Sequence, residues 1–485
     1  MTMPITSFAF KDNAKKALAD PNLRKAMAII GGPMASRRVE SAQQLPEFEA
    51  LRDEGLAIKK HVMAHLDLYL ERFEQAVTAK GGHVHWCRTP REARETILAL
   101  CRSRDAKTVT KGKSMVSEEI GLNGFLEQHG IQPVETDLGE YIIQLAHEPP
   151  SHIIGPALHK TREQVAELFE EHHPDYAPNG VKPGKRSTEP QTLVSEARSV
   201  LRQAYFKADV GITGANFLIA ETGATVIVTN EGNGDLTQSL PKMHIVISSI
   251  EKVMPNLEDV STILRVLARS ATGQEMSCYT TLSCGPKRPD DVDGPEEFHV
   301  VLLDNGRSEM LGSPLEDLMR CIRCGACMNN CPVYHSVGGH AYGWVYPGPI
   351  GAALDPHMIG LEAAQHLPNA STFCGKCEEV CPMRIPLPKI MRHWREQAHD
   401  KRITPPLQRY GIEAWAWLAQ RPWLYRLATR LGIGLLGALG KQKGRFASLP
   451  LANGWTAARD FPAPQGDTFM SQWQKRQSVK QDGGK

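Results

Sequence analysis

The chain has 485 residues, 56 basic and 54 acidic side chains and a formal net charge of +2. That length can supply two or three separate cores, and so balanced a charge, with no basic stripe interleaved with aromatics, excludes nucleic acid as a partner. No stretch reaches the ~20 apolar residues of a membrane span.

Met1 to Ala28 mixes Lys11, Lys15, Lys16 and Arg24 with apolar residues and lacks the continuous apolar run and small-residue cleavage site of a signal peptide, which predicts a cytoplasmic protein. Arg37-Arg38 has no hydrophobic stretch behind it and is taken as a solvated helix face rather than an export signal. Residues 1–80 are predicted to be helical and to cover the next domain, with apolar positions at helical spacing from Leu56 to Val77.

From His83 short apolar runs alternate with helical stretches. His83 to Cys87 is followed by Arg91 to Cys101, Thr108 to Thr110 by Ser117 to Gln128, and then comes Ile131 to Glu135. This alternation predicts an α/β domain over 81–310 with an at least partly parallel sheet. His173 to Pro190 is polar, carries Pro and Gly, and is predicted to be a long loop. Val210 to Thr213, Phe217 to Ala220, Thr225 to Thr229 and His244 to Ser248 then have the apolar, β-branched content of buried strands. Pro255 to Ser270 returns to helix, Gly285 to Glu297 is a connection, and Phe298 to Leu303 is a last strand.

Seven of the 11 cysteines stand in two runs. The first, Cys321, Cys324, Cys327 and Cys331 followed by Pro332, has the C-x2-C-x2-C-x3-C-P spacing of bacterial ferredoxins, in which three close thiolates hold one cubane and the fourth reaches across to another. The second, Cys374, Cys377 and Cys381 followed by Pro382, places Ser371 where a further cysteine would stand. Crossing the ligands assigns Cys321, Cys324, Cys327 and Cys381 to one [4Fe-4S] cluster and Cys331, Cys374 and Cys377 to a second. The three-thiolate site suits [3Fe-4S], or [4Fe-4S] with Ser371, a carboxylate, a partner group or solvent on the last iron. Zinc on paired C-x2-C units is the alternative, and disulfides conflict with a reducing cytoplasm.

The runs predict a two-cluster ferredoxin-type domain over 311–400, interrupted by a glycine-rich insertion from Gly338 to Gly351 whose glycines permit close backbone approach. A helical extension over 401–470 follows. In it Trp415 to Leu439, with Trp417, Trp423, Tyr425, Arg421, Arg426 and Arg430, is predicted to be an amphipathic helix for a membrane surface, a partner subunit or the protein's own core. The polar tail 471–485 is predicted to be disordered.

Several strings together carry a resemblance. Lys113-Ser-Met-Val-Ser-Glu-Glu119, Val134-Glu-Thr-Asp-Leu-Gly-Glu140, Ala220-Glu-Thr-Gly-Ala224, Gly339-His-Ala-Tyr-Gly-Trp-Val-Tyr-Pro-Gly-Pro-Ile350 and both cysteine runs are similar to those of the LutB/LldF-type iron-sulfur proteins of bacterial L-lactate utilisation. The resemblance spans essentially the whole chain. It implies a lactate-utilisation (LUD) domain with a fold like sugar isomerases and CoA transferases, a dicluster ferredoxin domain with two [4Fe-4S] clusters, and a helical C-terminal extension. It also implies work with a cysteine-rich LutA-type subunit and a smaller LutC-type LUD protein in oxidising L-lactate to pyruvate.

Other positions invite roles. Thr229 to Thr237 offers clustered backbone N–H groups for an anion but departs from G-x-G-x-x-G at Thr237, so a tight loop is the simpler use. Lys111-Gly-Lys-Ser114 lacks the first glycine of a P-loop, which rejects ATP, while its lysines could attract a carboxylate. Glu221 is a candidate base beside a LUD pocket, against the alternative of a paired carboxylate, and Asp137, Glu140 and His147 are similar cases. Cys87, Cys101, Cys278 and Cys284 lack ligand spacing and are predicted to pack as small apolar residues.

The function this supports is an electron-transfer subunit of a lactate-oxidising complex. The alternatives are a stand-alone 2-hydroxy acid dehydrogenase, for which no flavin or nicotinamide fingerprint is present, and a non-redox iron-sulfur docking module.

Overall fold

The computed structural model describes residues 5–178, 184–440, 443–449, 453–456, 459–464 and 467–482. The chain divides into two units, Met1–Ala398 and His399–Lys485.

Among the described residues the first unit is built on ten strands. They are β1 (His83–Cys87), β2 (Thr108–Lys111), β3 (Gln132–Glu135), β4 (Val210–Gly214), β5 (Phe217–Ile219), β6 (Ala224–Thr229), β7 (Met243–Ser249), β8 (Val253–Met254), β9 (Tyr279–Ser283) and β10 (Glu297–Leu303). Six form one wholly parallel sheet in the order β1-β10-β7-β4-β2-β3. Its central strands are buried along their length because both faces are covered: every residue of β4 and β7 is buried, including the polar Thr213, His244, Ser248 and Ser249. Helix Pro90–Ser103 covers β1 and β10, placing Ala93, Ile97 and Cys101 in a core with Val109, Ile212, Ile245 and Val301. Thr89 starts that helix by accepting the Glu92 N–H at 3.3 Å, and Pro90 occupies the first turn.

A second sheet, β8-β5-β6-β9, is mixed. Its strand β9 was not foreseen, because Tyr-Thr-Thr-Leu-Ser is polar and lies on an edge, exposed or half-buried throughout. The predicted helix Ser117 to Gln128 is two helices, Met115–Glu119 and Leu122–Gln128, separated at Gly121, whose φ of 63° breaks the helical run. The predicted loop after His173 is present on either side of residues 179–183, which lie outside the described residues, and helix Pro190–Lys207 closes it.

The predicted N-terminal helices form, but they do more than cover the sheet. Helices Ala35–Gln43 and Phe48–Ala64 pack on helix Leu257–Ala271. They also hold the second cysteine run by its carbonyls: Arg38 donates to Val380 O at 2.9 Å, and Arg52 to Glu379 O and Cys381 O, each at 2.7 Å.

Beyond the carboxyl ends of β7 and β10 lies a buried ion cluster. Arg307 grips Glu119 through both terminal nitrogens, at 2.7 and 3.0 Å, and its Nε lies 3.0 Å from Glu251. Asn305 and Tyr346 each donate to Glu119 at 2.6 Å, and Lys59 donates to the Glu251 carbonyl. Tyr346 comes from the glycine-rich insertion, so the cluster ties the cysteine-bearing segment to the sheet.

The second unit contains helices Pro406–Ala419 and Pro422–Gly440, a two-stranded ladder of Arg445–Phe446 with Phe461–Pro462, and helix Phe469–Asp482. The single amphipathic helix predicted over Trp415 to Leu439 is therefore two, broken before Pro422. Trp415, Trp417 and Trp423 are more than half exposed. No helix among the described residues is long and apolar enough to cross a membrane. The tail predicted to be disordered is helical as far as Asp482; Gly483 to Lys485 lie outside the described residues.

Removing one member of a buried charge pair leaves the other uncompensated. Glu119→Ala is expected to destabilise the first unit by about 3–5 kcal/mol, read as a lower midpoint in chemical denaturation followed by circular dichroism.

Candidate functional site: two adjoining thiol cavities

The two cysteine runs fold as a structural repeat. Arg323 and Phe373 take left-handed φ values of 58° and 55°, each two residues before a left-handed glycine, Gly325 (72°) or Gly375 (80°). Each glycine opens a short helix, Ala326–Asn329 or Lys376–Glu379. These backbone signatures superpose Cys324 on Cys374, Cys327 on Cys377, and Cys321 on Ser371.

The thiols sort into two small cavities. One is lined by Cys321, Cys324, Cys327 and Cys381, closed by Ile153, Ile322, Ile350, Met383, Ile385 and Leu387. The other is lined by Cys331, Cys374 and Cys377 together with Ser371 and Thr372. The last cysteine of each run thus lines the cavity of the other run. In the inner cavity Cys324 and Cys381 are buried; in the outer one Cys374 is exposed. Backbone N–H groups point at sulfur, from Tyr334 to Cys331 Sγ at 3.5 Å and from Ile385 to Cys381 Sγ at 3.4 Å.

This donor set fits iron-sulfur clusters. Burial and the neighbouring Cys381 push the Cys324 thiol up to about 12; burial and Cys331 do the same for Cys377, and burial with the surrounding thiols raises Cys327 well above the ordinary thiol range. Such crowding opposes four bare thiolates and favours a cationic core among them, whose binding would displace the thiol protons. Exposed Cys374 runs the other way, lowered by the Lys376 N–H and the Thr372 hydroxyl.

Arg323 sits inside the first loop. Its guanidinium stacks 4.4 Å over the Tyr346 ring and lies 3.7 Å from Glu251. Lys376, its counterpart in charge within the second loop, pairs at the surface with Glu379 at 2.6 Å. The insertion's glycines do permit close approach to several parts of the chain: a Cβ on Gly339 would fall 1.8 Å from Ser151 O, one on Gly343 2.5 Å from Ser7 N, and one on Gly348 2.5 Å from Met328 Cγ, next to Cys327. Two contacts that the sequence did not flag complete the joint. Asn329 bridges His152 and Ala271 O, each at 2.9 Å, and the Tyr334 hydroxyl donates to Ser151 O at 2.6 Å.

The remaining candidate residues separate. Lys111 is fully buried beside Glu118 (2.9 Å) and Glu135 (2.7 Å); burial opposes its charge, but these carboxylates outweigh it, so Lys111 is structural. Glu140 belongs to the same cluster and is raised well above the carboxylate range by burial and by Glu135. Lys113, Asp137 and the Thr229 to Asn233 part of the anion-loop candidate converge instead on a cavity of about 490 Å³, at the carboxyl ends of β2 and β4.

Glu221 corrects the expectation of a buried base. It is exposed in the β5–β6 turn and does not line this cavity, because the hairpin carries it away from the sheet's carboxyl edge. His147 is exposed as well. Cys87 and Cys101 are buried as predicted, whereas Cys278 and Cys284 are exposed at the two ends of edge strand β9.

Comparison with known proteins agrees with this layout. Residues 70–303 match the LUD domain, 317–385 a 4Fe-4S dicluster domain, which indicates iron-sulfur clusters, and 391–478 the C-terminal domain of lactate utilisation protein B. A lactate utilization protein B of Bacillus pumilus (strain SAFR-032) is 40% identical over 99% of this chain and 100% of its own length. The corresponding protein of Bacillus subtilis (strain 168) is 40% identical over 99% of this chain and 98% of its own. An uncharacterized electron transport protein of Escherichia coli (strain K12), YkgF, is 40% identical over the full length of both. With a parallel-sheet LUD domain, paired thiol cavities and full-length identity at this level, the chain belongs to the lactate utilization protein B family.

Proposed function

We propose that this chain is the iron-sulfur electron-transfer subunit of a multi-subunit system that oxidises L-lactate to pyruvate, working with a cysteine-rich LutA-type protein and a LutC-type LUD protein. The observation that carries this reading is the sorting of seven thiols into an inner set of four and an outer set of three that opens to solvent. Two [4Fe-4S] clusters held there would exchange electrons one at a time.

The residues set the conditions for that exchange. Cys321, Cys324, Cys327 and Cys381 would hold the inner cluster, and Cys331, Cys374 and Cys377 the outer one. Cys327 lies in a short helix, Ala326–Asn329, that ends two residues before Cys331, which keeps the two sites adjacent. Apolar side chains exclude water from the inner site, while exposure of Cys374 leaves the outer one within reach of a partner. Ser371, hydrogen-bonded to the Phe373 N–H at 3.1 Å, stands where the repeat has its fourth thiol.

Iron and sulfide analysis with EPR of the anaerobically purified chain tests the reading. About eight irons and two reduced S = 1/2 centres are expected for two cubanes; zinc without sulfide would overturn it. Arg323→Gln removes a buried cation that favours the more negative, reduced state. In an EPR-monitored redox titration the inner cluster's midpoint should become more negative while the outer one holds. Ser371→Cys supplies the missing thiolate, so the [3Fe-4S] signal expected from the wild type on mild oxidation should be suppressed, and iron should leave more slowly under a chelator.

A further inference from the structure

The cavity at the carboxyl edge of the parallel sheet has a position, a lining and an unmet hydrogen-bonding demand that together specify a ligand. Strand order places it where the topology turns: β2 continues outward to β3, whereas β4 continues through β7 and β10 to the opposite side. Open α/β sheets bind ligands at the carboxyl ends of strands flanking such a reversal. Lys113 follows β2, Gly214 ends β4, and Lys252 follows β7, all on the cavity wall.

The polar part of the wall is cationic. Lys113 lies 3.7 Å from Asp137, Lys252 donates to Ala215 O at 2.6 Å with further protons to offer, and Arg323 has a buried Nη1 without a hydrogen-bond partner among the described residues. Asn233 supplies an independent sign of a missing ligand. It is 6% exposed, it lines the cavity, and both its amide oxygen and its amide nitrogen are buried without partners. Leaving such a group unsatisfied is costly. Beside it the exposed Glu231 carboxylate also lies on the wall. Cations for a carboxylate, plus an amide offering one donor and one acceptor for a neighbouring oxygen, match an acid oxygenated on its second carbon.

The rest of the wall is apolar, with Ile142, Ile153 and Leu267. About 490 Å³ lies within the ~300–1,000 Å³ of sites for drug-sized ligands and exceeds what a three-carbon acid fills. Arg323 and Cys324 line this cavity and the inner thiol cavity alike.

We propose that this cavity binds 2-hydroxy and 2-oxo carboxylates, including ones with side chains larger than methyl, against a wall shared with the inner thiol cavity. The proposal deepens the electron-transfer reading and rests on it for the link to lactate; the binding itself is tested separately.

The test is anaerobic isothermal titration calorimetry of the full, cluster-loaded chain with pyruvate, 2-oxobutyrate, L-lactate, acetate and inorganic phosphate, paired with EPR of the reduced protein. Saturable binding of the 2-oxo acids is expected, with 2-oxobutyrate at least as tight as pyruvate, and acetate and phosphate at least about tenfold weaker. Bound 2-oxobutyrate should alter the signal of one cluster only. Asn233→Leu and Lys113→Met should each weaken binding about tenfold with iron content unchanged; Lys113, on the cavity rim, keeps the test decisive if the buried substitution impairs folding.

No saturable binding to iron-replete protein, equal affinity for acetate or phosphate, or undiminished binding by both variants would overturn the proposal. Each of those outcomes leaves the two-cluster reading standing. Loss of iron and sulfide with acid binding retained would do the reverse.

Discussion

The buried contact between Arg307 and Glu119 is the constraint on which the rest of the first unit depends. A guanidinium and a carboxylate taken out of water are stable only when their geometry is good and their remaining hydrogen-bonding positions are filled. Here the filling groups come from separate parts of the chain: Asn305 from beyond β10, Glu251 from beyond β7 and Tyr346 from the insertion between the cysteine runs, while Lys59 from the N-terminal helices holds Glu251 by its main-chain carbonyl. Because each contributor is needed to complete the set, the sheet, the helices and the cysteine loops share one arrangement.

That arrangement gives the inner thiol cavity an unusual electrostatic setting. Lys59, Lys252, Arg307 and Arg323 are gathered around Glu119 and Glu251. Asp355, buried nearby, is raised well above the carboxylate range by desolvation. Cationic groups therefore outnumber ionised carboxylates in a region shut off from water, and four cysteine thiolates on one side and a small carboxylate on the other would each redress the balance. At the outer cavity the loop cation Lys376 pairs at the surface with Glu379, and Arg395 stacks 4.1 Å over Phe373 and donates to Pro368 O at 3.0 Å.

Much of this could be read from the sequence because the signals were local. Strand β1 has the predicted bounds, since His83 to Cys87 is a short apolar run set between a glycine pair and a helix start. The expectation that the cysteine runs cross came from the ferredoxin spacing of the first run, a pattern contained in a few consecutive residues. What escaped was either weakly patterned or non-local. Strand β9 is polar, Glu221 was misplaced by a hairpin whose direction no local string encodes, and Arg307 and Asn233 resemble ordinary polar residues until folding removes water from around them. Lys111-Gly-Lys-Ser114 and Thr229 to Thr237 were each weak as separate motifs; parallel strand order is what brings Lys113 and Asn233 to one cavity.

The crossing of the cysteine runs also bears on the order of assembly. Cys381, which faces the inner cavity, is the last of the 11 cysteines to leave the ribosome, and the arginines that hold its loop, Arg38 and Arg52, are among the first residues made. The inner site is therefore incomplete until both ends of a long loop have met. On the proposed assignment, iron would enter this site after translation of the cysteine segment rather than during it, and the nascent chain would have to keep its early-made cysteines reduced while the final one is still being synthesised.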